Sequence, residues 1–146
     1  MIEASVLIVD DEVPFVETLM KRLAKRNVRV DAAYSGHEAL EKLAASGPTK
    51  TDVVILDVKM PEMDGLETLA RIKEEHPLIE VIMLTGHATV ESAIEGMKRG
   101  AYDYLMKPCE LGVLMEKLSA ATNKKREHES KILEARANLI SLRRGD

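Results

Sequence analysis

Five side chains of the kinds used in phosphoryl chemistry each close an apolar run of this chain. Asp10 and Asp11 follow Val6-Leu7-Ile8-Val9, and Asp57 follows Val53-Val54-Ile55-Leu56. Thr85 follows Val81-Ile82-Met83-Leu84, and Lys107 follows the run from Tyr102 to Met106. Hard carboxylate oxygens around an open position suit Mg²⁺, which takes one or two carboxylates, several waters and phosphate oxygens. Three carboxylates at one place also raise one another's pKa unless a cation offsets their charge. If Asp57 attacks phosphorus, then Mg²⁺, the Thr85 hydroxyl and the Lys107 ammonium are placed to neutralise the equatorial oxygens, and the product is an aspartyl phosphate. Taken singly, each residue has a plainer explanation. Asp10 and Asp11 turn the chain into a helix, Asp57 stops a strand, Thr85 approaches a helix and Lys107 is a solvated charge. Their joint occurrence at four strand ends favours the site.

Positioning these residues requires a βαβ succession. Apolar runs alternate with helical patterns five times, with strands expected at about 5–9, 28–33, 52–56, 79–84 and 101–106. The intervening helices carry apolar positions at 3.6-residue spacing: Val16, Leu19, Met20 and Leu23; Leu66, Leu69 and Ile72; Val90, Ala93, Ile94 and Met97; Leu111, Leu114, Met115 and Leu118. Each is expected to bury that face against a sheet. Pro14 suits a first helical turn, and Ser35-Gly36-His37-Glu38 has capping-box spacing. The first, third and fourth strands are continuously apolar and belong in the middle; the second and fifth mix in polar residues and suit the edges. With right-handed crossovers, the expected fold is α/β, a five-stranded parallel sheet of order 2-1-3-4-5 with helices on both faces. In this flavodoxin-like order, ligands sit at the carboxyl ends of the strands, near the switch between strands 1 and 3.

The 146 residues fit one domain and a modest excess, with an aliphatic core given how few aromatics there are. Residues 1–123 hold 14 Lys/Arg and 21 Asp/Glu, whereas residues 124–146 hold 7 and 4. An acidic body with a mildly basic, sign-alternating tail argues against direct DNA binding and for a solvated helix face. No apolar stretch approaches a membrane span, and Met1-Ile2-Glu3 leads straight into a strand, so a cytoplasmic chain without membrane contact is expected. Cys109 has no partner for an internal disulfide and reads as a packing residue. Met60, Met63, Met83, Met97, Met106 and Met115 read as core fillers, and the four histidines lack metal spacing. Asp64 and Gly65 read as turn chemistry before the third helix.

The strings VLIVDDE at 6–12, DVVILDVKMPEMDG at 52–65, VIMLTGHA at 81–88 and GAYDYLMKP at 100–108 closely resemble receiver domains of two-component response regulators, over about residues 4–122. The last two are nearest to receivers of NtrC-type transcription activators. The resemblance implies Asp57 as phosphoacceptor and a Mg²⁺ site of Asp11, Asp57 and the Lys59 carbonyl, with Asp10 acting largely through water. It further implies Thr85 and Lys107 on the phosphoryl group, Tyr104 as an aromatic switch and a cis Lys107-Pro108 bond. Gly86 would leave room for a donor phosphohistidine, while Lys59 and His87 would tune phosphoryl lifetime. The implied partners are a histidine kinase or histidine phosphotransfer protein and a downstream effector.

The heptad pattern from Leu111 to Ala121 is interrupted at Lys125 and His128 and resumes at Ile132, Ala135, Leu139 and Leu142. A receiver at 1–123 is therefore expected to run into a helical extension or linker at 124–146. This extension, or the face of the fourth helix, fifth strand and fifth helix, could pair two copies. No Walker motif or helix-turn-helix follows, and the chain ends in Arg143-Arg144-Gly145-Asp146, which favours a stand-alone receiver over a fragment cut within a linker. The competing functions are a Mg²⁺-dependent phosphatase with an Asp nucleophile and a receiver-like binding module without phosphate. The first would place an acid where Lys59 stands. The second leaves the set Asp10, Asp11, Asp57, Thr85 and Lys107 without a purpose.

Overall fold

The computed structural model describes residues 3–46 and 51–145. Strands β1 (Ser5–Val9), β2 (Arg29–Ala33), β3 (Val53–Leu56), β4 (Glu80–Thr85) and β5 (Asp103–Met106) alternate with helices α1 (Val13–Ala24), α2 (Gly36–Ser46), α3 (Gly65–Glu75), α4 (Val90–Lys98) and α5 (Leu111–Arg144). The strands form one parallel sheet in the order β2-β1-β3-β4-β5, as expected from their composition. The three inner strands bury almost every side chain, because helices cover both faces.

Alternation along the strands divides the core into two layers. Val6, Ile8, Val53, Ile55, Ile82 and Leu84 face Val16, Leu19 and Leu23 of α1 and Leu114, Leu118 and Ala121 of α5. Leu7, Val9, Val54, Leu56, Val81 and Met83 face Ala39 and Leu43 of α2 and Leu69 and Ile72 of α3. Pro14 lies in the first turn of α1. At the start of α2, Ser35 Oγ accepts from Glu38 N at 3.1 Å, but the Glu38 carboxylate turns back to Tyr34 N at 2.6 Å, one residue earlier than in an ideal capping box.

Two expectations about burial are corrected. Val90, Ile94 and Met97 on α4 are exposed, and Gly96 is the buried position of that helix. The helix rests on the sheet through its smallest residue: a side chain at Gly96 would stand 3.5 Å from the Tyr104 ring and 3.8 Å from Met83. Met97 is consequently a surface residue, as is Met106 at the end of the edge strand β5, while Met60, Met63 and Met83 are core.

Helix α5 runs unbroken through 34 residues. The interruption at Lys125 is no solvated gap: Lys125 is buried, with its ammonium 3.3 Å from Asp52 and 3.2 Å from Glu129. Arg126 Nη2 also reaches Asp52, at 3.1 Å, and Lys124 reaches Glu80, at 3.2 Å. Three consecutive basic residues thus fasten the helix to two buried acids at the amino-terminal edge of the sheet. Beyond Ser130 the helix is exposed on all sides. Among the described residues no helix is long and apolar enough to cross a membrane.

Candidate functional site

Parallel register brings the strand ends level. Val9 pairs with both Ala33 and Leu56, Leu56 with Met83, and Thr85 with Met106. Pairing continues one residue past the strands, with Asp10 N on Ala33 O at 3.1 Å, Asp57 N on Val9 O at 3.0 Å and Lys107 N on Thr85 O at 2.9 Å. The backbone therefore sets Asp10, Asp57, Thr85 and Lys107 along one edge. Asp10, Asp57 and Thr85 are buried, whereas Asp11 is exposed. Asp10, Asp11 and Asp57 present carboxylate oxygens within 4.8 Å of one another. A shallow depression of about 490 Å³ opens over Asp11 and Asp57, lined also by Glu12, Lys59, Met60, Pro61 and His87. Such a trio of hard oxygen donors under an open mouth fits Mg²⁺.

Each acid is oriented locally. Asp57 Oδ1 accepts from Val58 N at 2.8 Å, and Asp10 Oδ1 accepts from Glu12 N at 2.9 Å. Thr85 Oγ1 accepts from His87 N at 3.0 Å, which leaves its hydroxyl proton to be donated elsewhere. The Lys107 ammonium lies 2.7 Å from Asp10 Oδ2 and 3.2 Å from Glu12 Oε1, and 3.9 Å from the centre of the Phe15 ring. Among the described residues no ion pair joins it to Asp57. The Lys107-Pro108 bond is cis, as the resemblance implied.

Burial pushes the Asp10 carboxyl above its usual range; Lys107 and the Glu12 amide pull it back only in part, and the charge of Asp57 adds to the rise. For Lys107, burial works against the charged form, but Asp10, then Asp57 and Glu12, outweigh it and hold the ammonium above its ordinary value. The expected mutual repulsion of the acids thus contributes at Asp10, though burial is the larger cause of the rise.

The loop after Asp57 is drawn tight. Gly65 N donates to Val58 O at 2.7 Å, and a Cβ on Gly65 would stand 1.9 Å from the Asp57 carbonyl oxygen. Only glycine allows this approach. Asp64 beside it caps α3, its carboxylate accepting from Glu67 N at 2.9 Å. What reads in the sequence as generic turn chemistry is therefore a backbone clamp on Asp57. Lys59 stands exposed on the rim, two residues beyond Asp57. A Cβ on Gly86 would meet only Lys107 Cδ, at 4.0 Å, so the space beside Thr85 is open.

Tyr104 stands one strand away, pairing with Met83. Its hydroxyl lies 2.5 Å from Ser92 Oγ, in the first turn of α4. Ser92 and Thr89 form a reciprocal capping box there, so the phenol is tied to the start of the helix. Glu12 and Phe15, which the sequence reading passed over, touch Lys107 directly; the acidic run Asp10-Asp11-Glu12 was the only hint of the former.

Residues 6–119 match the family described as response regulator receiver domain. The chain is 39% identical over 132 residues to the transcriptional regulatory protein ZraR of Salmonella typhimurium, covering 90% of this chain and 29% of that protein. It is 38% identical over 106 residues to the DNA-binding transcriptional regulator NtrC of Escherichia coli, covering 73% of this chain and 22% of that protein. The chain thus spans less than a third of the regulators it matches. Among solved structures, a response regulator receiver domain protein from Clostridium thermocellum superposes with a TM-score of 0.78 at 36% identity, over 84% of this chain and 97% of that one.

Proposed function

Because the chain belongs to the response regulator receiver domain family, we propose that it is a phosphorylation-controlled switch that accepts a phosphoryl group on Asp57 from a histidine kinase or histidine phosphotransfer protein. One observation carries the reading. Asp57 ends a central strand beside Asp10 and Asp11 with no protein cation on it among the described residues, while Thr85 and Lys107 end the next two strands on the same edge. Asp10, Asp11, Asp57 and the Lys59 carbonyl would hold Mg²⁺, which when bound supplies positive charge to phosphoryl oxygens.

The side chains of this chain do the rest. Val58 N orients the Asp57 carboxylate, the Thr85 hydroxyl donates to a phosphoryl oxygen and Lys107 offsets its charge. The chemistry is self-phosphorylation and slow self-dephosphorylation, without turnover of a released substrate. Phosphorylation adds negative charge and acceptor oxygens at Asp57, drawing Thr85 toward it. Tyr104 then leaves Ser92 and turns inward, and the α4–β5–α5 face engages a downstream protein. The exposed Val90, Ile94, Met97 and Met106 give that face its apolar contact area.

The receiver is assigned to residues 1–123 and the helical extension to 124–146, the first turn of the extension being fastened to the domain through Asp52. A cytoplasmic location, no direct DNA contact and, at most, pairing of two copies through α4–β5–α5 or the extension go with this reading. The test is incubation with Mg²⁺ and acetyl phosphate, followed by intact mass. Gain of one phosphoryl group by the wild type and none by Asp57→Ala supports the assignment; no gain with Mg²⁺ bound and a cognate kinase present removes it.

A further inference from the structure

Among the described residues the Lys107 ammonium is paired with Asp10 and Glu12 and not with Asp57, whose charge it feels only at longer range. The Lys107 backbone is pinned at the edge of the sheet, N on Thr85 O at 2.9 Å, but its ammonium is turned toward the first turn of α1. Three groups receive it there: Asp10 Oδ2 at 2.7 Å, Glu12 Oε1 at 3.2 Å and the face of the Phe15 ring at 3.9 Å. Asp10 belongs to the acidic trio and is contested by any cation bound there. Glu12 and Phe15 have no part in the trio. An anion and the negative face of an aromatic ring, three residues apart at the start of one helix, both attract a cation. The Lys107 side chain is 13% exposed, so the berth is sheltered from water on the lysine's side, while Glu12 is 60% exposed.

We propose that Glu12 and Phe15 are positioning residues that berth Lys107 on α1 in the resting state, and that their release of its ammonium limits how fast and how fully Asp57 is phosphorylated. The inference rests on Asp57 being the phosphoacceptor. In the transfer from acetyl phosphate, an Asp57 carboxylate oxygen forms its bond to phosphorus as the bond from phosphorus to the acetyl oxygen breaks, and acetate leaves. Negative charge on the transferring group needs Lys107 at that moment, and a lysine held on α1 has first to let go of both contacts. The berth therefore acts after the donor is bound, on the maximal rate and not on donor affinity.

The experiment measures phosphorylation of the full chain against acetyl phosphate concentration at fixed Mg²⁺, by intact mass, for the wild type, Glu12→Gln, Phe15→Leu and Phe15→Tyr. Glu12→Gln removes the charge at constant shape, Phe15→Leu removes the ring while keeping apolar bulk, and Phe15→Tyr keeps a ring face. Expected are maximal rates roughly two- to fivefold above wild type in the first two, the scale of one part-exposed ion pair or cation–π contact, with unchanged half-saturation. Phe15→Tyr stays at the wild-type rate, which loss of packing would not explain. The Glu12→Gln gain shrinks at high salt because that carboxylate is exposed, and the Phe15→Leu gain persists. In the metal-free protein, the Lys107 side-chain methylene protons are shifted upfield by the Phe15 ring in the wild type, and this shift is absent in Phe15→Leu. Wild-type phosphorylation with neither variant faster, or wild-type Lys107 protons without a ring shift, overturns the berth and leaves Asp57 as phosphoacceptor. No phosphorylation of any of the four proteins overturns both.

Discussion

The ammonium of Lys125 lies 3.3 Å from the carboxylate of Asp52, across 73 residues of sequence. Asp52 stands just before β3, and both residues are buried. The Asp52 carboxylate also accepts from Ser5 N at 2.9 Å and from Arg126 Nη2 at 3.1 Å. One acid therefore ties together the starts of β1 and β3 and the middle of α5, on the edge opposite the Asp10, Asp11 and Asp57 trio. Removing one partner of a buried pair leaves the other charge poorly compensated. Lys125→Ala is expected to lower unfolding free energy by about 3 kcal/mol in urea titration, at unchanged slope. A chain ending at Asn123 should lose a similar amount, and one ending at Ser130 should not.

Gly65 and Gly112 predict opposite responses to the same substitution. At Gly65 a methyl group would run into the Asp57 carbonyl at 1.9 Å, so Gly65→Ala must push the β3–α3 loop away from Asp57. Overpacking of this kind costs about 1–3 kcal/mol. Displacement of the carboxylate is expected to lower acetyl phosphate labelling at least about tenfold, since near-attack geometry tolerates little misplacement. At Gly112, in the first turn of α5, a Cβ meets nothing within 4 Å, so Gly112→Ala should gain up to about 1 kcal/mol and label normally.

The edge carrying Asp10, Asp57, Thr85 and Lys107 is readable because its residues close apolar runs, and a parallel sheet of known order then leaves them little choice of place. The order itself followed from which runs were wholly apolar. What stayed hidden was set by partners distant in sequence or by residues that look ordinary nearby. Nothing in the sequence pattern marks Asp52 and Glu80 for burial, yet both are buried, because Lys124, Lys125 and Arg126 come back to meet them. Of these, Lys125 reads in the sequence, with His128, as a break in a heptad. On α4, the 3.6-residue pattern of Val90, Ile94 and Met97 promised a buried face, but Gly96 is what meets Tyr104, and the apolar residues are turned to the surface. Phe15 carries no mark in the sequence, and only its distance to Lys107 singles it out among the residues packed against the core.

Asp10 sets a pH dependence of stability. Burial, reinforced by Asp57, holds its folded pKa above the ordinary 3.8, so the unfolded chain releases this proton first as pH rises. The contribution of Asp10 is then favourable below pH 3.8 and is lost as pH rises through the elevated folded value. Asp10→Asn removes the loss. In metal-free buffer at pH 7 the variant is expected to be more stable than wild type by about 1 kcal/mol, the usual scale of a single substitution, and the two should converge in acid. Saturating Mg²⁺ should raise the wild-type melting temperature and narrow the gap, because a cation bound to the acids stabilises the native state alone. Chelation should restore it.

Tyr104 and Ser92 predict how tightly α4 is held. The phenol hydroxyl lies 2.5 Å from Ser92 Oγ, and Ser92 also donates to Thr89 O at 3.1 Å while its own amide donates to Thr89 Oγ1 at 3.0 Å. Ser92→Ala removes the return half of the capping box together with the tether, worth about 1 kcal/mol, a factor of about five in local opening. Hydrogen exchange at the amides of residues 91–94 should speed up by that factor. Tyr104→Phe leaves the box whole and removes only the tether, so exchange there should rise less, about twofold. Equal exchange in wild type and Tyr104→Phe would mean that the phenol does not hold the helix. The proposed switch would then rest on the packing of the ring on Gly96 alone.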